Sequence, residues 1–287
     1  MKISKLFESS PRTYSFEFFP PKDEISAVDF GINVGQLIHL SPSFVSVTYG
    51  AGGSSRERTF ALVDYLQNRV GMRTMAHYTC VNATRQKIHE DLSALRAAGI
   101  VNLMALRGDP QKGQEQFQVQ EGGFAHAADL IAWSREHFDF CIGAAAYPEV
   151  HPEAVSATTD MAALKGKVDA GADFLITQLF FDNQRYFRFV QAARDAGIGC
   201  RIIPGIIPIT AYQQLARFTA MSQAGIPDSL RADMEEYKDN PAKITQIGMD
   251  FAVRQCRDLL MMGAPGLHFY TLNKSRATVE IFQTLLR

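Results

Sequence analysis

With 287 residues, 46% of them hydrophobic and 21% charged, the chain can bury a large core and has the size of an ordinary single α/β barrel. Its 29 basic and 30 acidic residues leave a formal net charge of -1, which argues against nucleic acid or a membrane surface as partner. No apolar run approaches the roughly 18 residues of a membrane span.

The opening, MKISKLFESSPRTYSF, carries lysines but no apolar stretch of a secretory signal. The first strand-like run follows at 13–19 (TYSFEFF), with Glu17 set among phenylalanines. Further runs are expected at 43–48, 73–79, 101–106, 140–147, 173–180, 200–207 and 267–272, several nearly continuous in apolar residues. That is the pattern of parallel strands covered on both faces. Helical patterns lie between them. In 84–98, Ile88, Leu92 and Leu95 share a face, with Thr84 as N-cap and Gly99 as stop. The same helix, Ala-Gly, strand join recurs at Ala170-Gly171 and Ala196-Gly197. Before the last run, Asn240-Pro241 reads as a cap followed by a first-turn proline, opening a helix over 241–262, with a shorter one at 228–237.

Strand and helix alternating eight times predict an α/β fold: a single (β/α)8 TIM-type barrel over 1–287 with extra helices before the last strand. The alternative is a doubly wound open sheet, weakened because no GxGxxG follows the first strand. Cys80, Cys141, Cys200 and Cys256 lie far apart with no CxxC pair, which suits a reducing cytosol and argues against a zinc site or disulfide frame.

In such barrels chemistry sits at the C-terminal strand ends. Those ends here carry Glu17, Thr48, His77, Arg107 with Asp109, Tyr147 with His151, Gln178, and the segment YTLNK (270–274). No His-x-His pair supports a metal site, and no G-x-S-x-G elbow supports a nucleophilic serine. The run YGAGGSSRERT (49–59) is glycine-rich and could hold a phosphate, but it is not a Walker loop.

SFEFFPPK, FVSVTYGAGGS, ALRGD, AAYPEVHPE, KVDAGADFLITQLFFD, IIPGIIPI and HFYTLN, in order from residue 15 to 273, resemble the bacterial 5,10-methylenetetrahydrofolate reductases. The resemblance implies an FAD-binding (β/α)8 barrel. Such a barrel reduces methylenetetrahydrofolate to methyltetrahydrofolate with NADH or NADPH, in two half-reactions at one flavin. It also implies a cytoplasmic homo-oligomer. No S-adenosylmethionine-binding regulatory domain is expected.

Carried onto this chain, the resemblance makes Glu17 the general acid that opens the folate ring. Apolar neighbours suit an acid working near neutral pH. Asp109 would stabilise the cation that forms. The flavin contacts implied are Thr48, Tyr49, Ala51, His77, Arg107, Gly108, Asp109, Tyr147, His151, Ala154, Asp160, Ala163 and Lys167. The folate contacts are Glu17, Asp109, Gln178, Gln214, Phe218 and Lys274, the last where the family more often has arginine. Asp160, Ala163 and Lys167 share one helix face, and Met161, Leu164 and Val168 an apolar one. Without the family, each has a plainer reading. Glu17 could be a strand-end glutamate facing solvent, Arg107 and Asp109 a self-paired turn, and Phe218 ordinary helix core. The competing functions are another flavin barrel, such as a proline-type amine dehydrogenase, and a binding protein that kept the fold without the chemistry.

Overall fold

The computed structural model describes residues 1–49, 56–110, 113, 117–222 and 224–285, without the side chains of 220–222. Within them, nine parallel strands form one sheet: β1 (Thr13–Phe18), β2 (Phe44–Val47), β3 (Thr74–Thr79), β4 (Asn102–Leu106), β5 (Cys141–Ala146), β6 (Phe174–Thr177), β7 (Arg201–Ile203), β8 (Gly205–Ile206) and β9 (Gly266–Tyr270). Neighbours run β7-β6-β5-β4-β3-β2-β1-β9-β8. The first strand therefore pairs with both the second and the last, Ser15 facing Phe44 on one side and His268 on the other.

Eight strands were expected, and the seventh run is divided in two. Pro204 has no N–H to continue the ladder. β7 pairs with β6 and β8 with β9, so one chain segment passes from one neighbour to the other at the proline. The polar groups at the crossing are met individually: Gly205 N donates to Thr177 Oγ1 at 2.9 Å, and His268 N to Pro204 O at 2.9 Å. This closes an α/β barrel of eight staves.

Helices α1 (Ile3–Ser9), α2 (Glu24–Ile38), α3 (Arg56–Asp64, continuing as a π-helical stretch to Arg69), α4 (Arg85–Ala97), α5 (Ala127–His137), α6 (Ala157–Asp169), α7 (Asn183–Asp195), α8 (Gln213–Ser222), α9 (Asp228–Glu236), α10 (Pro241–Met261) and α11 (Ser275–Leu285) surround the strands. Their starts are chemically marked. Asp23, Thr84, Ser156, Asp182 and Asn240 each accept a backbone N–H of the first turn. The Ala-Gly joins end α4, α6 and α7 as expected, with Gly99, Gly171 and Gly197 all at positive φ.

Side chains alternate along each strand. Phe16, Val45, Ala76, Leu103, Ile142 and Leu175 face outward into the main core beneath the helices. The inward residues at the N-terminal end, Phe44, Met75, Met104, Cys141, Phe174, Ile176 and Ile203, form a separate apolar cluster with Ile3 of α1. The short α1 closes this end. Phe7 meets Phe174 edge to face at 5.4 Å, Ile3 N donates to Asn102 Oδ1, and Arg201 lies over the Phe7 ring while donating to Phe7 O and Ser10 O. A third cluster, Leu179, Phe181, Ile207, Ile209, Leu215, Phe218 and their neighbours, packs α8, α9 and α10 beside the other end.

Candidate active site

The C-terminal end of the barrel is polar where the opposite end is apolar. Glu17, on the inward face of β1, is only 7% exposed. Its Oε2 lies 3.5 Å from His77 Nε2 on β3 and 3.6 Å from His268 Nε2 on β9. Behind His268, Nδ1 shares a 2.8 Å hydrogen bond with Ser15 Oγ. Burial pulls the His77 imidazole below its ordinary value, with Glu17 opposing. His77 Nε2 is buried and, among the described residues, has no hydrogen-bond partner.

Tyr270, opposite Glu17 in the β1–β9 register, donates its hydroxyl to Thr177 O at 2.7 Å. Desolvation holds that phenol well above the usual range, and the charges of Glu17 and Tyr147 push the same way. Gly205 makes room for it. A Cβ there would stand 2.2 Å from Thr177 O and 2.6 Å from the Tyr270 ring.

The segment after β9 clamps the segment after β1. Thr271 Oγ1 donates to Glu17 O at 2.6 Å. Asn273 meets Phe19 in both directions, its Oδ1 accepting from Phe19 N and its Nδ2 donating to Phe19 O, each at 2.8 Å. Leu272 and Asn273 both take positive φ to reach this geometry. Asparagine does so at low cost, leucine does not.

A second group continues from Tyr147. This phenol is pushed up to about 12, by burial first and then by Asp109. Tyr147 meets His151 edge to face at 4.5 Å. His151 N donates to Asp160 Oδ2 at 3.0 Å, and His151 Nδ1 accepts from Glu153 N at 3.1 Å, so the loop from 147 to 156 is latched to the first turn of α6. Ala154 N donates to His151 O in the same turn. Lys167 reaches inward and donates to Ala145 O at 2.9 Å. Burial lowers its ammonium, and Asp160 opposes that shift. Met161 and Leu164 line a cavity of about 660 Å³ together with Tyr147, Asp160 and Lys167, between α6 and α7. Ala163 on the same helix is exposed.

Arg107 does not pair with Asp109. It makes a two-pronged contact with Glu153 and lies 4.9 Å over the Phe117 ring. Asp109 stands exposed at the rim. Gly108 has φ +94°, and a Cβ would come within 3.0 Å of Thr79.

The remaining expected residues are spread around the same end. Thr48 N donates to Phe18 O, and Thr48 O accepts from Thr59 Oγ1. Tyr49 turns outward, its hydroxyl accepting from Arg56 Nε at 2.7 Å, and Arg56 in turn pairs with the buried Asp91, which also meets Tyr78 and the half-exposed Lys87. Ala51 lies outside the described residues. Gln178 is half-buried and its Oε1 accepts from Leu179 N. Gln214 Oε1 caps the start of α8, accepting from Thr210 N at 2.6 Å and Ala211 N at 3.0 Å. Phe218 is 1% exposed within the third cluster, which abuts Tyr270 and Leu272. Lys274 is exposed.

The sequence reading missed His268 and Ser15, and took in Asn273 only as part of the segment YTLNK. The available signal was the two-residue alternation of β9, which puts His268 on the face of Tyr270. Among the described residues no group of three His, Cys, Asp or Glu could hold a metal ion, and no helix is long and apolar enough to cross a membrane.

Residues 2–286 match the family model described as methylenetetrahydrofolate reductase. The chain is 40% identical to the 5,10-methylenetetrahydrofolate reductase of Salmonella typhimurium, covering 94% of this chain and 90% of that one. It is 39% identical to methylenetetrahydrofolate reductase (NADH) 1 of Arabidopsis thaliana over 99% of its length but 50% of the plant protein, so it spans about half of such relatives. Among solved structures, an uncharacterized protein from Clostridium thermocellum that binds two copies of 5-methyl-5,6,7,8-tetrahydrofolic acid superposes with a TM-score of 0.67, 15% identity, and coverage of 99% and 98% of the two chains. At that identity the likeness speaks for the fold.

Proposed function

The chain belongs to the methylenetetrahydrofolate reductase family, and from that premise we propose that it reduces 5,10-methylenetetrahydrofolate to 5-methyltetrahydrofolate, with FAD bound at the barrel mouth and NADH or NADPH as donor. The observation that carries the reading is Glu17, an acid enclosed at the mouth with two imidazoles against one of its oxygens.

The residues present suit FAD. Lys167 is a half-buried ammonium with three donors and, among the described residues, one hydrogen-bond acceptor, Ala145 O. A cation in that state favours an anionic partner such as a pyrophosphate. The cavity beside it and the orphaned His77 Nε2 offer room and a polar contact. Asp160, Lys167, His151 and Tyr147 would hold the nucleotide side, and Arg107, Gly108, His77 and Thr48 the ring side. When bound, FAD supplies the two-electron carrier between nicotinamide and folate.

The chain's own part is to position and to move a proton. Glu17 Oε2 carries the proton delivered to the folate nitrogen as the five-membered ring opens. Burial disfavours the charged form of His77, 3.5 Å away, so that imidazole does not compete for the proton. His268, oriented by Ser15, fixes the carboxylate from the other side. Asp109 and the Tyr147 hydroxyl face the cation that remains on the opened folate, where a preorganised carboxylate stabilises developing positive charge. Gln178 and Gln214 present amides to the pterin, and Phe218 stands behind them in an apolar wall.

The test is an anaerobic visible spectrum of protein reconstituted with FAD, reduced by nicotinamide and mixed with methylenetetrahydrofolate. Return of the oxidised flavin bands is the expected result. Flavin that stays bleached would overturn the substrate assignment and favour another flavin-barrel chemistry.

A further inference from the structure

Glu149 belongs to the 147–156 loop, yet its side chain turns to a different neighbour. Its carboxylate is 10% exposed. Both oxygens accept from a single backbone donor, Gly225 N, at 3.0 and 3.1 Å. Arg185 Nη1 of α7 lies 3.2 Å from Oε2. Burial raises the carboxyl, while the Gly225 amide and Arg185 work against that shift. Asp182 also draws on Arg185, at 3.9 Å, so the guanidinium is shared.

The placement joins two half-sites. The backbone of Glu149 sits between Tyr147 and His151, on the cofactor side. Gly225 follows α8, the helix of Gln214 and Phe218, on the folate side. The start of α8 is fixed by Gln214 Oε1, and beyond its far end the backbone is held by Glu149 across 76 positions of sequence. Desolvating a carboxylate for one amide and a shared, half-exposed guanidinium is costly unless the geometry serves a purpose. Simple closure of a loop would be met as well by apolar contact.

We propose that Glu149 is a positioning residue that holds the end of α8 against the cofactor loop and thereby sets where Gln214 and Phe218 meet the reduced folate. It governs affinity for the pterin substrate and leaves nicotinamide alone. The proposal rests on the methylenetetrahydrofolate reductase reading above.

Two variants of the FAD-loaded protein test it by anaerobic stopped flow. Glu149→Ala removes both contacts, and Glu149→Gln keeps an acceptor for Gly225 while removing the charge facing Arg185. Loss of a hydrogen bond to a charged group is worth roughly tenfold or more in binding. In Glu149→Ala the methylenetetrahydrofolate concentration giving half-maximal flavin reoxidation is expected to rise about tenfold, with the limiting rate within about twofold. Reduction by nicotinamide should be unchanged, and Glu149→Gln should fall between wild type and Glu149→Ala. Independently of turnover, hydrogen exchange at the Gly225 amide should quicken by about the same factor while the β-strand amides hold. Equal losses in both half-reactions, or an unaltered folate dependence, would overturn the proposal. So would unaltered Gly225 exchange, and a Glu149→Ala protein too unstable to assay leaves these readings to Glu149→Gln. Wild-type reduced flavin that the folate fails to reoxidise would overturn the functional reading itself. Normal wild-type reoxidation with unchanged variants would overturn the role of Glu149 alone.

Discussion

On β3 the inward residues are Met75 and then His77, and on β1 they are Ser15 and then Glu17. On β6 they are Phe174 and Ile176, with Gln178 just past the strand's end. A step of two residues, roughly 6.6 Å at about 3.3 Å each, separates a wall of phenylalanine and methionine from one of carboxylate and imidazole. Both walls hang on the same hydrogen-bonded strands. The lower end is closed by α1 and holds the barrel together, while the upper end carries groups that oppose burial. Costs of the upper end are tolerated because the lower end and the outer core absorb them.

The largest effect that would sharpen this contrast is at Glu17. Glu17→Gln should reduce folate-dependent flavin reoxidation by about 10²–10⁴-fold, the usual worth of a positioned acid. Nicotinamide-dependent reduction and thermal stability should be kept. Equal loss of both half-reactions would contradict the acid role. Phe174→Ala at the lower end should do the opposite. It should cost about 3–5 kcal/mol in denaturant unfolding, with rate per folded molecule preserved. A kinetic defect in the surviving folded fraction would break the contrast between the ends.

Gly205→Ala should trouble both ends at once, because its Cβ would press on Thr177 O and the Tyr270 ring. A loss of about 1–3 kcal/mol is expected from overpacking, with weaker folate binding. Asn273→Ala removes both bonds to Phe19 and should cost about 1 kcal/mol, with slower folate reoxidation and normal nicotinamide reduction.

The smallest effect is that of pH on His77. Its folded imidazole resists protonation, so below about 6.5 the unfolded chain binds more protons and folding stability falls. Down to pH 6 the loss from this one group stays under about 1 kcal/mol. Comparing denaturation midpoints at pH 8 and pH 6 for wild type and His77→Gln measures it. A wild type as pH-sensitive as the variant would show that His77 is not the buried neutral group.

Much of the barrel was legible because its signals are local. Apolar runs, caps and Ala-Gly joins each report on a few neighbouring residues, and they located the strands within three residues and the long α10 within one. The break at Pro204 was also local, yet the continuous run CRIIPGII hid it. A proline in such a run is itself the mark of a broken ladder. Glu17 was legible as an acid in the wrong company and through its motif. Its partners were not, because His268 and Ser15 meet only when the last strand closes on the first. Periodicity could not decide Phe218, since an amphipathic helix shows the same pattern whether its aromatic faces a ligand or an apolar wall. Arg107 was a similar case: its two-pronged partner Glu153 is 46 residues away, and the tripeptide around it pointed to Asp109.

The bond between Ser15 and His268 spans 253 positions of sequence. At about 5–20 residues per second of synthesis, the interval between the two leaving the ribosome is on the order of tens of seconds. Through that time one edge of the SFEFF strand has no mate, and a nascent chain must be shielded or held from wrong pairings. The acid is therefore made early and given its surroundings last. A product that stops short of β9 would contain Glu17 and Ser15 without His268 and without the strand that pairs with the open edge of β1.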